Sequence, residues 1–404
     1  MSAAPVGDGQ PAARPGELPM LDGLRAVAAL AVLLTHVAFQ TGEVQRGAGG
    51  ALLGRFDAGV AVFFVLSGFL LHRPYARTRL TGGRWPSTRR YAVRRAARIL
   101  PAYWLALAAV ALTTPVPAGV LGTHLWLGQT YTGPLLEGFT QTWSLCTEVA
   151  FYAVLPLLAA AARRWEGAVL AGCVAGTYAY IATVHLLDLP QRALLWLPGH
   201  LDWFAVGMAV AVAAERLRAG VAGPAARLLA GLAQWPGTCW AAAGALLWLA
   251  ATPLAGPLTL APLPGPAALT KEAAYALVGL LLLVPAALGP PTGGFAAVLG
   301  SPPARWLGRI SYGVFLWHLL VLRGLYEATG WAPFTGRMWT VALLTAAGAV
   351  ALAALSWELV ERPLLRLAHQ RTGRQRERGE REQLAERRLA GPGRREPEHQ
   401  PGQQ

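Results

Sequence analysis

Residues 21–40 read LDGLRAVAALAVLLTHVAFQ, twenty residues in which only Asp22, Arg25 and His36 are ionisable. A helix needs about twenty mainly apolar residues to cross the hydrocarbon core of a bilayer. Backbone polar groups in lipid must be paired within their own segment, and this stretch lacks the alternation of a barrel strand. It therefore predicts a transmembrane helix and an all-α fold.

Further apolar runs follow along the 404 residues, of which 54% are hydrophobic and 14% charged. A soluble domain carries about a quarter charged residues, so lipid must be part of the solvent here. The predicted spans are 20–40, 58–73, 98–115, 143–162, 167–187, 199–214, 237–254, 272–290, 310–326 and 338–360. We therefore predict an all-α, polytopic protein of the cell membrane with about ten transmembrane helices.

The basic residues predict the orientation of these spans. The net charge is +14, and Lys271 is the sole lysine, so the charge comes from arginine. With the N-terminus inside, 28 basic residues fall on the cytoplasmic side and six on the outer side. Because short cytoplasmic loops are enriched in Lys and Arg, both termini are predicted to be cytoplasmic. Membrane orientation explains the charge better than a nucleic-acid partner does.

Three segments are predicted from composition. Residues 1–17 read as a disordered lead without the features of a signal peptide, 18–366 as the transmembrane domain, and 367–404 as a disordered, basic cytoplasmic tail. The three cysteines show neither a disulfide pattern nor metal-ligand spacing. We therefore predict no metal site.

Ionisable residues inside spans are costly and often mark a functional interior. Arg25 and His36 are eleven residues apart, which puts them on one side of a helix and about 16 Å apart along its axis. Glu148 follows Trp143, an expected interfacial aromatic, and is predicted at a depth similar to that of His36. The two groups are a base with its orienting partner or two separate acid–base groups. A snorkelling arginine, an incidental histidine and a structural Glu148–arginine pair remain open.

Other polar residues allow two interpretations each. Ser67 is more simply a packing residue beside Gly68 than a nucleophile. His318 lines a cavity or makes a helix contact. Arg95 and Arg98 share a helix face and suit either phosphate oxygens or lipid headgroups. Candidate cavity-lining residues are Ser67, Trp143, Tyr152 and His318.

Several motifs in order resemble the integral membrane acyltransferase 3 family. They are LDGLRAVAALAVLLTHV (21–37), FFVLSGFLL (63–71), RRAARILPAYW (94–104), WSLCTEVAFY (143–152), ISYGVFLWH (310–318) and ELVERPLL (358–365). The resemblance covers about residues 19–366. It implies O-acylation of a surface glycan, a lipid-linked sugar or a macrolide. Cys146 and Thr147 depart from the usual pattern beside the glutamate.

The resemblance also implies roles for particular residues. His36 would be the general base and Glu148 its partner, while Arg25, Arg95 and Arg98 would bind acyl-CoA, with acetyl-CoA the expected donor. The acceptor would be a glycan, glycolipid or polyketide, without a metal. Acceptor identity, acyl chain length, an acyl-enzyme and oligomerisation stay open.

Two other functions compete with this hypothesis. A proton-coupled secondary transporter or flippase for a glycolipid would use the buried Arg, His and Glu as a proton relay. A non-catalytic membrane partner would tolerate replacement of all three.

Overall fold

The computed structural model describes residues 18–258 and 263–367, and these residues form helices and turns without a β-strand. The α-helices in chain order are α1 (Pro19–Thr41), α2 (Gly47–Gly54), α3 (Gly59–Thr81), α4 (Thr88–Thr113), α5 (Ala118–Leu125), α6 (Gln129–Thr132), α7 (Trp143–Leu186), α8 (Leu201–Arg218), α9 (Pro224–Leu232), α10 (Pro236–Ala250), α11 (Gly265–Leu288), α12 (Gly294–Leu299), α13 (Pro302–Thr329) and α14 (Met338–Ser356). Short 3₁₀ turns cover Glu43–Gln45, Phe56–Ala58, Thr140–Thr142, Gln191–Leu195, Leu197–His200 and Pro253–Ala255, and a π-helix covers Trp357–Glu361.

The structure of the described residues confirms the prediction of an all-α, multi-pass membrane protein. Seven of its helical stretches are long and apolar enough to cross a membrane. Each of the ten predicted spans coincides with a helix. α10 is apolar but has only 15 residues, and α13 has 28 residues but carries three arginines and a glutamate.

The fourth and fifth predicted spans are the two halves of α7, which has 44 residues. The backbone at Trp165 leaves the helical region with φ −130° and ψ 50°, so the helix is broken there. Each half has about 21 residues and measures about 32 Å at 1.5 Å per residue, which is close to the hydrocarbon thickness. The break lies in the predicted connection between the two spans.

Glycines bring α3 and α8 into close contact. The Cα of Gly207 lies so close to the backbone around Val65 that a β-carbon there would lie 2.7 Å from the amide nitrogen of Phe69. Gly68 lies as closely against the Phe204 carbonyl. Small residues allow helices in lipid to approach in this way, as predicted for the Ser67-Gly68 pair.

Ion pairs fix the predicted cytosolic ends of α3 and α8. Glu215 is buried and bonded by Arg73 at 2.7 Å, Arg77 at 3.0 Å and Arg218 at 2.9 Å. Several hydrogen bonds on one carboxylate offset its desolvation better than a single pair would.

The predicted lead, 1–17, and the predicted tail, 367–404 except for its first residue, lie outside the described residues.

Candidate active site

A pair of imidazoles joins α1 to α13. His318 Nε2 lies 3.2 Å from His36 Nδ1, and the ring centroids are 5.0 Å apart. His36 Nδ1 is also 2.7 Å from the Val32 carbonyl, and His318 Nδ1 is 2.8 Å from the Phe315 carbonyl. A carbonyl only accepts hydrogen bonds, so each neutral ring must carry its proton on Nδ1. Histidine tautomers are assigned from such hydrogen bonds. Here they leave the lone pair of His36 on Nε2.

His36 lies in the wall of a cavity of about 1300 Å³, which we call the large cavity. Its wall is mainly apolar and contains Trp143, Phe315 and Leu319. His318 is 1% exposed and lies behind His36 rather than in that wall. An apolar cavity with a few polar groups is the usual form of a small-molecule site.

Ser67, Glu148 and Tyr152 form a separate polar group with Arg95, which we call the inner centre. The Tyr152 hydroxyl donates to Glu148 Oε1 at 2.7 Å, and the Ser67 hydroxyl donates to the same oxygen. The Arg95 guanidinium lies over the Tyr152 ring, 5.7 Å from its centroid. Glu148 is therefore fixed by two hydroxyl donors from α3 and α7.

Arginines surround the inner centre. Arg25 lies within electrostatic range of Arg95, Arg98 and Tyr152, and its guanidinium is 3.4 Å from the Asp22 carboxylate. Arg25 also lines a smaller cavity of about 320 Å³. We call it the arginine pocket, and its other charged residues are Asp22, Arg73, Arg305 and Arg309. Arg73 is also paired with Glu215, and Arg25 with Asp22. Guanidinium groups gathered in one pocket suit an anionic, oxygen-rich ligand.

The sequence did not single out Arg73, Arg305 and Arg309 as one site. They belong to α3 and α13, which are more than two hundred residues apart in the chain. Each lies near the end of its apolar segment, where arginine is expected from topology alone. Only the packing of α1 between these helices brings them together.

The histidine pair and the inner centre lie at different depths. The Gln141 side chain donates to the carbonyls of Phe315 at 3.3 Å and Leu316 at 2.9 Å, so α7 begins at the level of His318. Glu148 is seven residues further on, about 10 Å deeper along the helix. Among the described residues, no hydrogen bond links Glu148 to His36.

The prediction of equal depth is therefore wrong. It took Trp143 to mark the membrane surface, whereas Trp143 lies in the wall of the large cavity with its ring 5.4 Å from that of His200. The turn containing Leu195 covers the start of α7, since the Thr147 hydroxyl donates to the Leu195 carbonyl at 2.5 Å. α7 thus begins inside the protein.

The four candidate cavity-lining residues divide between these sites. Trp143 lines the large cavity, Ser67 and Tyr152 belong to the inner centre, and His318 supports His36. His36 and Arg25 lie on one helix, about 16 Å apart along its axis.

The end of the last span also faces the arginines. The π-helix turns Glu361 inward, where it is 3% exposed and accepts a hydrogen bond of 3.2 Å from Ser356. Arg98 lies within electrostatic range of Glu361. The described residues contain no group of three or more His, Cys, Asp or Glu side chains that could hold a metal ion.

Comparison with known proteins identifies the family. The model of the acyltransferase 3 family, described as an acyltransferase domain, matches residues 18–358. The chain belongs to this family. It is a multi-pass membrane acyltransferase.

Three curated relatives of this acyltransferase are similar over most of its length. Nodulation protein 10 of Rhizobium leguminosarum bv. viciae is 28% identical over 76% of this chain and 82% of its own. Acyltransferase MdmB of Streptomyces mycarofaciens is 30% identical over 86% and 89%. Peptidoglycan O-acetyltransferase OatA of Listeria monocytogenes is 23% identical over 86% of this chain and 56% of its own. No solved structure matches the acyltransferase.

Proposed function

We propose that this protein transfers an acyl group, acetyl in the first instance, from cytosolic acyl-CoA to a hydroxyl of a glycan, glycolipid or macrolide-type acceptor. The observation that carries the proposal is the histidine pair, which leaves an unprotonated nitrogen on His36 in the wall of the large cavity. An imidazole with a free lone pair suits proton abstraction near neutral pH.

The reaction balances with one base. The acceptor oxygen attacks the thioester carbon while its proton passes to His36 Nε2. The carbon–sulfur bond then breaks, and the CoA thiolate takes that proton. Throughout, the Nδ1–H of His36 donates to Val32 and His318, so the ring stays oriented. His318 is in this account a positioning residue.

The acyl-CoA donor would extend from the arginine pocket to the large cavity. Arg25, Arg95 and Arg98, with the arginine pocket, offer guanidiniums for the CoA phosphates. The pantetheine arm has about as many backbone bonds as four residues, so it extends to roughly 14 Å. This length is close to the axial distance from Arg25 to His36, which favours direct transfer over an acyl-enzyme.

Glu148 would act on the donor side rather than beside the base. It holds the hydroxyls of Ser67 and Tyr152, and Tyr152 in turn packs under Arg95. We assign Glu148 to positioning these groups along the path of the thioester.

The names of the relatives support a hydroxyl acceptor. One is a peptidoglycan O-acetyltransferase and another an acyltransferase, so oxygen acylation is represented among proteins similar to this chain.

The test compares His36→Ala with wild type. Purified proteins in lipid nanodiscs are assayed with acetyl-CoA and acceptors found by mass spectrometry of glycans and metabolites from a deletion strain. We expect His36→Ala to lower turnover by about a hundredfold or more, because a positioned general base contributes that much.

His185→Ala is the matched control, because His185 lines neither the large cavity nor the arginine pocket. Unimpaired turnover in folded His36→Ala would remove His36 as the base. Flux of an unmodified glycolipid without dependence on acyl-CoA would support the transporter instead.

A further inference from the structure

We propose that Asp57, Lys271 and Tyr275 form a subsite in the large cavity that binds hydroxyl groups of a neutral sugar ring on the acceptor. This inference rests on the proposed function and adds the recognition element of its acceptor site. All three residues line the cavity that also contains His36.

The three side chains hold one another in place. The Lys271 ammonium lies 2.7 Å from Asp57 Oδ2, and the Tyr275 hydroxyl donates to Asp57 Oδ1. Both carboxylate oxygens of Asp57 are thus bound, one by each residue of α11. The Lys271 ammonium also lies over the Tyr275 ring, 5.2 Å from its centroid.

A buried arginine fixes the backbone that carries Asp57. Arg55 is 3% exposed, and its guanidinium donates to the carbonyls of Ala250 at 2.7 Å and Ala255 at 3.1 Å. The turn Phe56–Ala58 is therefore tied to the turn that follows α10. Binding groups held by such supporting contacts are organised before the ligand arrives.

The ion pair has hydrogen-bonding capacity left for a ligand. The side chains of Asp57 and Lys271 are 35% and 24% exposed. An ammonium has three donors and a carboxylate about four acceptor sites, so most of them are unused by the contacts within the group. Asp57 also lies within electrostatic range of His36, which relates this subsite to the catalytic base.

The charge balance indicates a neutral ligand. Asp57 cancels the charge of Lys271, so the pair offers donors and acceptors together without net attraction for an anion. The cavity around it is lined by apolar residues such as Val60, Leu263 and Ala268. A sugar ring presents hydroxyls at its edge and C–H groups on its faces, and both match this wall.

The residue type supports the same conclusion. Lys271 is the sole lysine of a chain that otherwise uses arginine. Arginine presents a planar fork suited to phosphates and carboxylates, whereas an ammonium is a compact group with rotatable donors. A lysine at this one position suits separate hydroxyls better than an oxyanion.

The experiment measures sugar binding without an acyl donor, by saturation-transfer NMR on the full chain in nanodiscs. The probes are methyl α-D-glucopyranoside, the ring analogue 2-methoxytetrahydropyran without free hydroxyls, and glucose 6-phosphate. We expect saturation of the glucoside above that of both other probes. Lys271→Met should lower the glucoside signal about tenfold, the value of one charge-assisted hydrogen bond.

Two variants serve as controls. Glu327→Gln removes another ion pair of the same cavity, that with Arg323 at 2.7 Å, and should leave the glucoside signal unchanged. In His36→Ala, unimpaired acyl transfer together with retained sugar binding would overturn only the proposed function. Thermal unfolding and size-exclusion profiles establish that each variant is folded.

Three results would overturn the subsite: no saturation of the glucoside by wild type, an unchanged signal in Lys271→Met, or equal saturation of the ring without hydroxyls. Stronger binding of glucose 6-phosphate would mean that the cavity binds anions instead.

Discussion

At the scale of single residues, two carbonyl groups determine which nitrogen of His36 can act as a base. The Val32 and Phe315 carbonyls each accept a hydrogen bond from the Nδ1 of a histidine three or four residues further along the same helix. His318 then accepts from His36, so the proton of His36 stays on Nδ1 and Nε2 keeps its lone pair. As the proposed base, His36 would be oriented without a carboxylate partner.

We expect His318→Phe to lower kcat for acyl transfer roughly ten- to a hundredfold, because His36 loses one of the two acceptors that fix its tautomer. The KM for acetyl-CoA should stay near the wild-type value, since His318 lies outside the arginine pocket. Steady-state kinetics with varied donor separates the two constants.

His318→Gln is the matched variant, because an amide oxygen can accept from His36 Nδ1. It should recover part of the lost kcat. If Phe and Gln at this position are equally active, His318 does not position the base.

The sequence marked His36 and Arg25 as candidate site residues, because an ionisable group inside a span is costly and often serves function. Their roles stay predictions. The sequence could not pair His36 with His318, which are 282 residues apart and meet only through the packing of α1 on α13. Nor could it give the depth of Glu148, since a span that starts inside the protein looks the same in sequence as one that starts at the surface.

At the scale of helices, the contact of α3 with α8 supports both sites. α3 carries Ser67 to the inner centre and Val60 to the large cavity. α8 begins directly after His200, which lies in the cavity wall. Glycines on both helices bring the two backbones together. The Ser67-Gly68 motif predicted this packing, whereas the hydrogen bond from Ser67 to Glu148 depends on the neighbouring helix α7.

We expect Gly207→Ala to destabilise the protein by about 1–3 kcal/mol, the usual cost of overpacking. The new methyl group would meet the backbone of α3, which cannot move aside as a flexible side chain could. Thermal unfolding in detergent provides the measurement.

Gly244→Ala in α10 is the control, because nothing lies within 4 Å of a β-carbon at that position. There the substitution should be neutral or stabilising by about 0.5–1 kcal/mol, since alanine loses less backbone freedom than glycine. Equal unfolding temperatures for the two variants would mean that the α3–α8 contact tolerates a wider spacing.

At the scale of the whole molecule, the charge pattern predicts which side each site faces. The arginine pocket and the first turn of α4 belong to the arginine-rich side, which is predicted to be cytosolic. The large cavity lies at the C-terminal end of α1, away from the arginine pocket, and at the N-terminal end of α11. Composition and periodicity could predict the helices and the break between the fourth and fifth spans, but the sites between helices depend on packing.

We expect single cysteines at positions 83 and 187 to be labelled from opposite sides of the membrane. Both residues are exposed, in the turn before α4 and just after α7, and the three native cysteines are buried. An impermeant maleimide should label Leu187→Cys in right-side-out vesicles and Gly83→Cys in inside-out vesicles. The reverse pattern, or labelling from one side only, would contradict the predicted orientation.

The distance between Arg25 and His36 has a consequence for the cell. An activated group supplied at one face and delivered at the other would make this protein a group translocator. The nucleotide carrier would never leave the compartment that regenerates it, and cleavage of the thioester would supply the driving force. Export and modification would then be a single event, without a separate carrier for the activated precursor.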